Sequence, residues 1–385
     1  MKIEKIYFKD LGPVSNTLSP INIRDTWAKK IYSSVLFSGP NGSGKTILLD
    51  SIAYLWEALG HWFNHKTPVP GNSHIYKWFD QWGGAAVIFD ELPDFAGAKS
   101  NAKNGKSKVC LFVGEDKWLG SIREENESVD YWEGEVIDHT NGKNKKERVL
   151  YGQYSGTVTE RPGPSMLRYG LKDNKYKTFF NKWEQAYKKL VLGVRETGTP
   201  NMIYLDGEER KWIKPGKNIG KLIPDDMTNS WMFKYTATED WKDQLENSLV
   251  NFKIVASEKK FKEVIGILNT FLEDKEIVAA YRSGDRNRLR VRLKKNGGKY
   301  HFFDELSSGE RQILILLYNV IRWMEECGIV MIDEPDLFLH PSLVTRILSV
   351  IEGITERRNG QLIITSHNKD VWERYENLGI RIKLS

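Results

Sequence analysis

The spacing of apolar residues changes several times along this chain, and each change marks an element. At the start, "KIEKIYF" mixes polar and apolar positions as a strand does, "INI" is a short strand candidate, and "SSVLFSG" is an apolar strand ending in glycine. From Lys45 to about Phe63 the spacing turns helical, with Leu48, Ile52, Leu55, Leu59 and Trp62 three or four apart. "GGAAVIFDEL" and "KSKVCLFVG" predict strands, and "GEVIDHTNGKNKKERVLYGQY" predicts a hairpin turning at Asn141-Gly142. "KYKTFFNKWEQAYKKLVLGV" predicts one helix and "NMIYL" another strand. From Phe261 the pattern is regular: helix "FKEVIGILNTFLED", basic strand "RLRVRLKK", apolar helix "ILILLYNVI", strand "GIVMID", helix "PSLVTRILSVIEGI", strand "QLIITS" and strand "IRIKL". Strands alternating with helices predict an α/β fold whose sheet draws on both ends of the chain. No internal repeat and no sustained heptad pattern is present.

Composition narrows this picture only a little. The chain has 385 residues, enough for about two structural units, and its 40% apolar and 28% charged content is that of a soluble globular protein. A net charge of +6 permits an acidic partner without requiring one. Two cysteines, Cys110 and Cys327, exclude a disulfide framework and a cysteine-type zinc site, and fit a reducing cytoplasm. The opening "MKIEKIYFKD" is not patterned as a signal peptide, and "ILILLYNVI" falls well short of the roughly 20 residues that span a bilayer. A soluble protein with no membrane role of its own is expected.

The candidate chemistry begins at "GPNGSGKT", Gly39 to Thr46, which follows a strand and opens a helix as a phosphate-binding loop must. Gly39, Gly42 and Gly44 let the backbone turn its N–H groups toward a phosphate chain at the positive end of a helix dipole. Lys45 would neutralise the β- and γ-phosphates, and Thr46 would offer its hydroxyl to Mg²⁺. In "GIVMIDEPD" a buried strand delivers Asp333 to its C-terminal end, where the carboxylate can hold the Mg²⁺ shell, and Glu334 could polarise an attacking water. "IITSHN" places His367 just past another apolar strand, where it could sense the γ-phosphate.

Between them, "LSSGERQ", Leu306 to Gln312, sets hydroxyls and a glycine at the start of a helix otherwise made for burial. Together with the P-loop, "GIVMIDEP" and "TSHN", it resembles the head of the ABC-class ATPases, and "DEPDLFLHPSL" resembles the SMC, recombination-repair and OLD (overcoming lysogenization defect) groups within that class. The resemblance covers residues 1–63 and 261–385. It implies a mixed β-sheet flanked by helices, with residues 64–260 inserted as an α+β region that partly completes the head and partly binds a partner. The 259 residues between Thr46 and Leu306 exceed what a transporter's ATPase usually has.

By the resemblance, ATP and Mg²⁺ are bound by Gly39, Pro40, Asn41, Gly42, Ser43, Gly44, Lys45 and Thr46. Ser307, Ser308 and Gly309 would contact the γ-phosphate held by a second subunit, with Glu310 and Arg311 fixing the turn or pairing across the interface. A Q-loop glutamine reaching the metal site is expected at Gln81, with Gln153 as the other candidate. Ser308 stands where the signature more often has glycine, and His340 stands near the position of an expected aspartate in the loop Leu337 to Pro341. OLD-type proteins continue into a nuclease domain; here 18 residues follow His367, so nuclease or toxin activity is expected from a separate effector.

Two further features could make contacts. Arg282, Arg286, Arg288, Arg290, Arg292, Lys294, Lys295 and Lys299 form a basic strand that could track nucleic acid or be paired locally. Ten of the 13 tryptophans lie between Trp56 and Trp241, where burial in a small irregular core is expected over a base-stacking surface. The expected function is a cytoplasmic ATPase that dimerises head to tail around two ATP and switches an effector in a prokaryotic defence or toxin system. A DNA-repair ATPase acting directly on DNA and an ATP-dependent scaffold are the alternatives.

Overall fold

A computed structural model of the chain describes residues 1–14, 19–67, 69–93, 95, 106–138, 147–149, 174–194, 198–278, 287–295 and 298–384. Strands β1 (Lys2–Lys9), β2 (Ile21–Asn22) and β3 (Ser34–Ser38) lead into helix α1 (Lys45–His65) and then α2 (His74–Asp80). Next come β4 (Gly84–Pro93), β5 (Lys106–Glu115), α3 (Asp116–Glu125), β6 (Tyr131–Asp138), β7 (Glu147–Val149), α4 (Asn174–Val191), β8 (Met202–Leu205) and β9 (Met232–Lys234). The remainder runs α5 (Leu245–Val255), α6 (Glu258–Asn269), β10 (Lys275–Val278), β11 (Arg290–Leu293), β12 (Tyr300–His301) and α7 (Ser308–Trp323). It ends with β13 (Ile329–Ile332), α8 (Pro341–Arg357), β14 (Gln361–Ser366), α9 (Lys369–Leu378) and β15 (Ile380–Lys383).

The functional scaffold is a parallel sheet of order β15-β3-β14-β13-β8-β9, assembled from both chain ends and the middle. Both of its faces are covered, and the two-residue period of its strands sorts the side chains. Val35, Phe37, Met202, Tyr204, Ile329, Met331 and Ile363 enter one core with α1 and the mixed sheet β2-β1-β4-β5-β6-β7. Leu36, Ile203, Leu205, Val330, Ile332, Leu362 and Ile364 enter the other, against α5 to α9 and the small antiparallel sheet β10-β11-β12. The result is a mixed α/β architecture with helices on both faces of the parallel sheet.

Several expectations shift in detail. The expected helix through Asp274 stops at Asn269, and the chain turns through Leu272 into β10, which the sequence pattern does not predict. The basic strand is shorter than expected, covering only Arg290–Leu293. β6 and β7 pair antiparallel as a hairpin requires, while its turn at Asn141-Gly142 lies outside the described residues. No helix among the described residues is long and apolar enough to cross a membrane.

The aromatic stretch is packed inward. Trp56 and Trp231 stack at 4.2 Å between ring centroids, and each indole N–H donates to the other residue's carbonyl, at 3.1 and 3.2 Å. Gly60 permits this approach, because a Cβ there would fall within the indole of Trp231. Trp183 and Phe63 close the cluster, which belongs to the same core as α1 and the mixed sheet β2-β1-β4-β5-β6-β7.

Candidate functional site

The P-loop joins the C-terminal end of β3 to the N-terminus of α1, so its N–H groups and the helix dipole face the same space. Gly42 and Gly44 adopt left-handed φ values of 78° and 85°. No atom lies within 4 Å of where a Cβ on Gly42 would sit, whereas one on Gly44 would run into Val14. The loop is therefore open on one side and packed on the other. Lys45 is 6% exposed, and its Nζ donates to the carbonyls of Gly39 and Pro40 at 3.2 and 3.0 Å. Burial lowers its pKa, while Glu334 and Asp333 oppose that shift. The Ser43 hydroxyl is buried without a hydrogen-bond partner. A buried cation, an orphan hydroxyl and an open glycine cradle fit a polyphosphate.

Strand β13 brings the acidic pair beside this loop, separated from β3 by β14 alone. The Thr46 hydroxyl donates to Asp333 Oδ2 at 2.7 Å, and the Thr365 hydroxyl donates to Asp333 Oδ1. Glu334 follows in a left-handed conformation, φ 48°, and its carboxylate meets His367 Nε2 at 2.6 Å. Thr46, Asp333, Glu334 and His367 thus converge from three strand ends. An aspartate and a threonine hydroxyl supply hard oxygen donors suited to Mg²⁺. Among the described residues, no three His, Cys, Asp or Glu side chains are grouped as a metal site.

Three polar residues absent from the expected site hold it in place. Thr365, fully buried on β14, accepts the Glu334 N–H at 2.9 Å as well as bonding Asp333. Arg210, 1% exposed in the turn after β8, donates to the carbonyls of Leu205 at 2.9 Å, Asp333, and Glu334 at 2.7 Å. Its Nε reaches Gln312 Oε1 at 3.3 Å, and the Gln312 amide donates back to the Arg210 carbonyl. Burial lowers the Arg210 pKa to about 10, against the pull of Asp333 and Asp206. A threonine in "LIITS" and a glutamine before "ILILL" are polar intrusions on buried faces, the one signal that sequence offered.

The signature turn is built differently. Ser307 N-caps α7 in a capping box: its hydroxyl accepts from the Glu310 N–H at 3.3 Å, and the Glu310 carboxylate accepts from the Ser307 N–H at 2.8 Å. Lys275 binds the same carboxylate at 2.7 Å, and Arg311 lies 5.8 Å from the Trp212 ring. Glu310 therefore fixes the turn within its own chain. Ser307 and Ser308 are exposed, and the N–H groups of Ser308 and Gly309 lie in the first helical turn, which has no intrahelical acceptors. The adjacent loop packs closely, since a Cβ on Gly309 would lie 3.2 Å from the Phe338 carbonyl. Phe338 is itself left-handed, φ 63°, and 68% exposed. His340 serves as the N-cap of α8, its Nδ1 2.8 Å from Ser342 Oγ.

Gln81 is exposed at the C-cap of α2, and Gln153 lies outside the described residues. Much of the basic strand is engaged locally. Arg288 binds Glu246 at 2.8 Å and Asp304 at 3.0 Å, Arg292 pairs with Glu276 directly across the β10–β11 register, and Lys294 donates to the carbonyls of Leu272 and Glu273. Arg282 and Arg286 lie outside the described residues.

Residues 225–371 match a family described as an AAA domain, putative AbiEii toxin, Type IV TA system. That segment contains the signature turn, Asp333, Glu334 and His367. Protein ea59 of Escherichia phage lambda is 25% identical over 99 residues, which are 24% of this chain and only 19% of that protein. Among solved structures, an SMC head domain from Thermotoga maritima aligns over 100% of this chain and 94% of its own, with 14% identity and a TM-score of 0.38. An Smc head from Pyrococcus furiosus, bound to the C-terminal domain of ScpA, aligns over 96% and 91%, with 11% identity and a TM-score of 0.43. Similarities that weak add nothing to the geometry above.

Proposed function

Taking the chain as an ATPase of the ABC/AAA type, we propose that it binds ATP in the Gly39–Thr46 loop, hydrolyses it with Glu334, and completes each site with the Ser307–Gly309 turn of a second copy. The observation that carries this reading is the convergence of Thr46, Asp333, Glu334 and His367 at one sheet edge, beside a buried lysine. Lys45 and the loop N–H groups would neutralise and orient the phosphates, and His367 would hold the Glu334 carboxylate toward an attacking water. Mg²⁺, held through Thr46 and Asp333, would supply charge neutralisation at the transferred phosphoryl group. Rate enhancement then comes from positioning and electrostatics.

The head-to-tail pairing is supported by the signature turn itself. It exposes Ser307 and Ser308 at a helix N-terminus, while the bonds of Ser307 and Glu310 stay within the turn or go to Lys275. A place in a toxin system is supported by the family description of the matched segment, and control of a separate effector is the form proposed for it. Direct action on DNA has less support, because Arg288, Arg292 and Lys294 of the basic strand are engaged by neighbours. Glu334→Gln tests the reading: turnover should fall by about 100-fold or more while ATP-dependent dimers accumulate. Wild-type turnover by a variant that stays monomeric at saturating ATP would contradict it.

A further inference from the structure

The buried guanidinium of Arg210 has an unusual set of partners. Its hydrogen-bond acceptors are three main-chain carbonyls, of Leu205, Asp333 and Glu334, and the side-chain oxygen of Gln312. Carrying a cation into the interior on neutral acceptors is expensive, and an apolar residue would fill the same space at lower cost. What the cation does instead is fix a backbone. With Arg210 on the carbonyls of Asp333 and Glu334 and Thr365 on the Glu334 N–H, the left-handed kink at Glu334 is held from both sides. Such a conformation is unfavourable for a non-glycine residue and persists only where the surroundings determine it. The direction of the carboxylate follows from that kink.

The other end of the arrangement is the signature helix. Gln312 lies three residues after Gly309 and four after Ser308, on the buried side of α7. The capping box ties the turn to the start of α7, whose backbone runs on to Gln312, and the Glu310–Lys275 pair fixes that start against β10. Gln312 and Arg210 are joined twice, Nε to Oε1 and amide to carbonyl. The turn at Gly207 presses on the same place, since a Cβ there would lie 3.3 Å from the Asp333 carbonyl.

We propose that Arg210 is a positioning residue that couples the signature helix to the hydrolytic carboxylate: engagement of the Ser307–Gly309 turn shifts Gln312, and Gln312 through Arg210 sets the orientation of Glu334. The inference rests on the reading of Glu334 as the residue that orients water. It assigns hydrolysis in each chain to a signal arriving at that chain's own signature turn.

The test uses the purified full chain with steady-state ATP turnover, ATP binding and thermal melting measured for Gln312→Leu, Gln312→Glu and Glu334→Gln. Leucine matches the glutamine in size, severs both bonds and leaves the Arg210 carbonyl contacts in place. Gln312→Leu should lower kcat about tenfold with KM for ATP within about twofold, the signature of a misplaced group rather than lost binding. Gln312→Glu keeps the acceptor for Arg210 Nε and should recover kcat to within about threefold of wild type. Wild-type kcat in Gln312→Leu, beside an inactive Glu334→Gln, overturns the coupling and leaves the function standing. Equal losses in the leucine and glutamate variants, or a rise in KM matching the fall in kcat, reduce Gln312 to packing and also overturn it. A Glu334→Gln variant with wild-type turnover overturns the reading beneath it.

Discussion

The P-loop edge of the parallel sheet and the signature turn lie at helix N-termini of the same chain, yet they are organised in opposite ways. At the edge, groups from distant parts of the sequence satisfy one another: Thr46 and Thr365 on Asp333, His367 on Glu334, and Arg210 on both carbonyls. At the turn, Ser307 and Glu310 satisfy each other within four residues, and Ser308 faces solvent. The first region is assembled by the fold and has much of its polar shell in place. The second is stable locally and presents its remaining donors outward. The first suits a phosphate and the second could donate hydrogen bonds to one, which is the arrangement that the proposed pairing of two copies requires.

Three substitutions sharpen that contrast. The largest effect is expected at Lys45→Ala, which removes the buried cation from the edge. ATP affinity should drop by about 10–100-fold and turnover should reach background, as measured by titration with a fluorescent ATP analogue and by phosphate release. Ser308→Asp should act only on the turn. An acid in the first turn of α7 favours the helix but repels a phosphate, so ATP binding by the single chain should stay unchanged. Dimer formation should be lost and turnover should reach background, read by light scattering and phosphate release. If ATP binding weakens instead, the two regions are not separate.

The smallest effect concerns Asp50, on α1 just past the P-loop. Burial foremost, and then Asp206, raise its carboxyl from 3.8 to about 7, against Lys234. Because the folded state holds the proton more tightly than the unfolded chain, this group's contribution to stability is fully present below about pH 4. It declines as pH rises toward about 7 and is flat beyond. Asp50→Asn removes the penalty, so its melting temperature should exceed wild type by about 1–3 °C at pH 8 and match it near pH 4. A constant difference across that range would show that Asp50 does not report the charge of the nucleotide-side core.

How much of this was readable in advance depends on how local each feature is. The P-loop is a matter of glycine spacing after a strand, and Asp333 is a matter of an apolar run ending in acid, so both were visible in the sequence. Arg210 was not, because its role exists only once β8 pairs alongside β13 and brings the turn after Leu205 against Asp333. The basic strand was ambiguous for the same reason. The partners of Arg288 and Arg292 are Glu246 and Glu276, and neither pairing follows from the alternation of "RLRVRLKK". Helix α5 was missed because its period is blurred. Glu246, Asn247 and Asn251 are buried with its apolar residues, serving Arg288 and the carbonyl of Ile223.

The central claim, that one chain supplies phosphate binding and another supplies the signature turn, is tested most directly by mixing two inactive variants. Lys45→Ala lacks the phosphate site but keeps its turn, and Ser308→Asp lacks the turn but keeps its phosphate site. In a random mixture half of the dimers contain one variant of each kind, and each of those has one intact composite site. The mixture should therefore recover about a quarter of wild-type ATP turnover. Turnover no higher than the sum of the two variants measured alone would contradict the account.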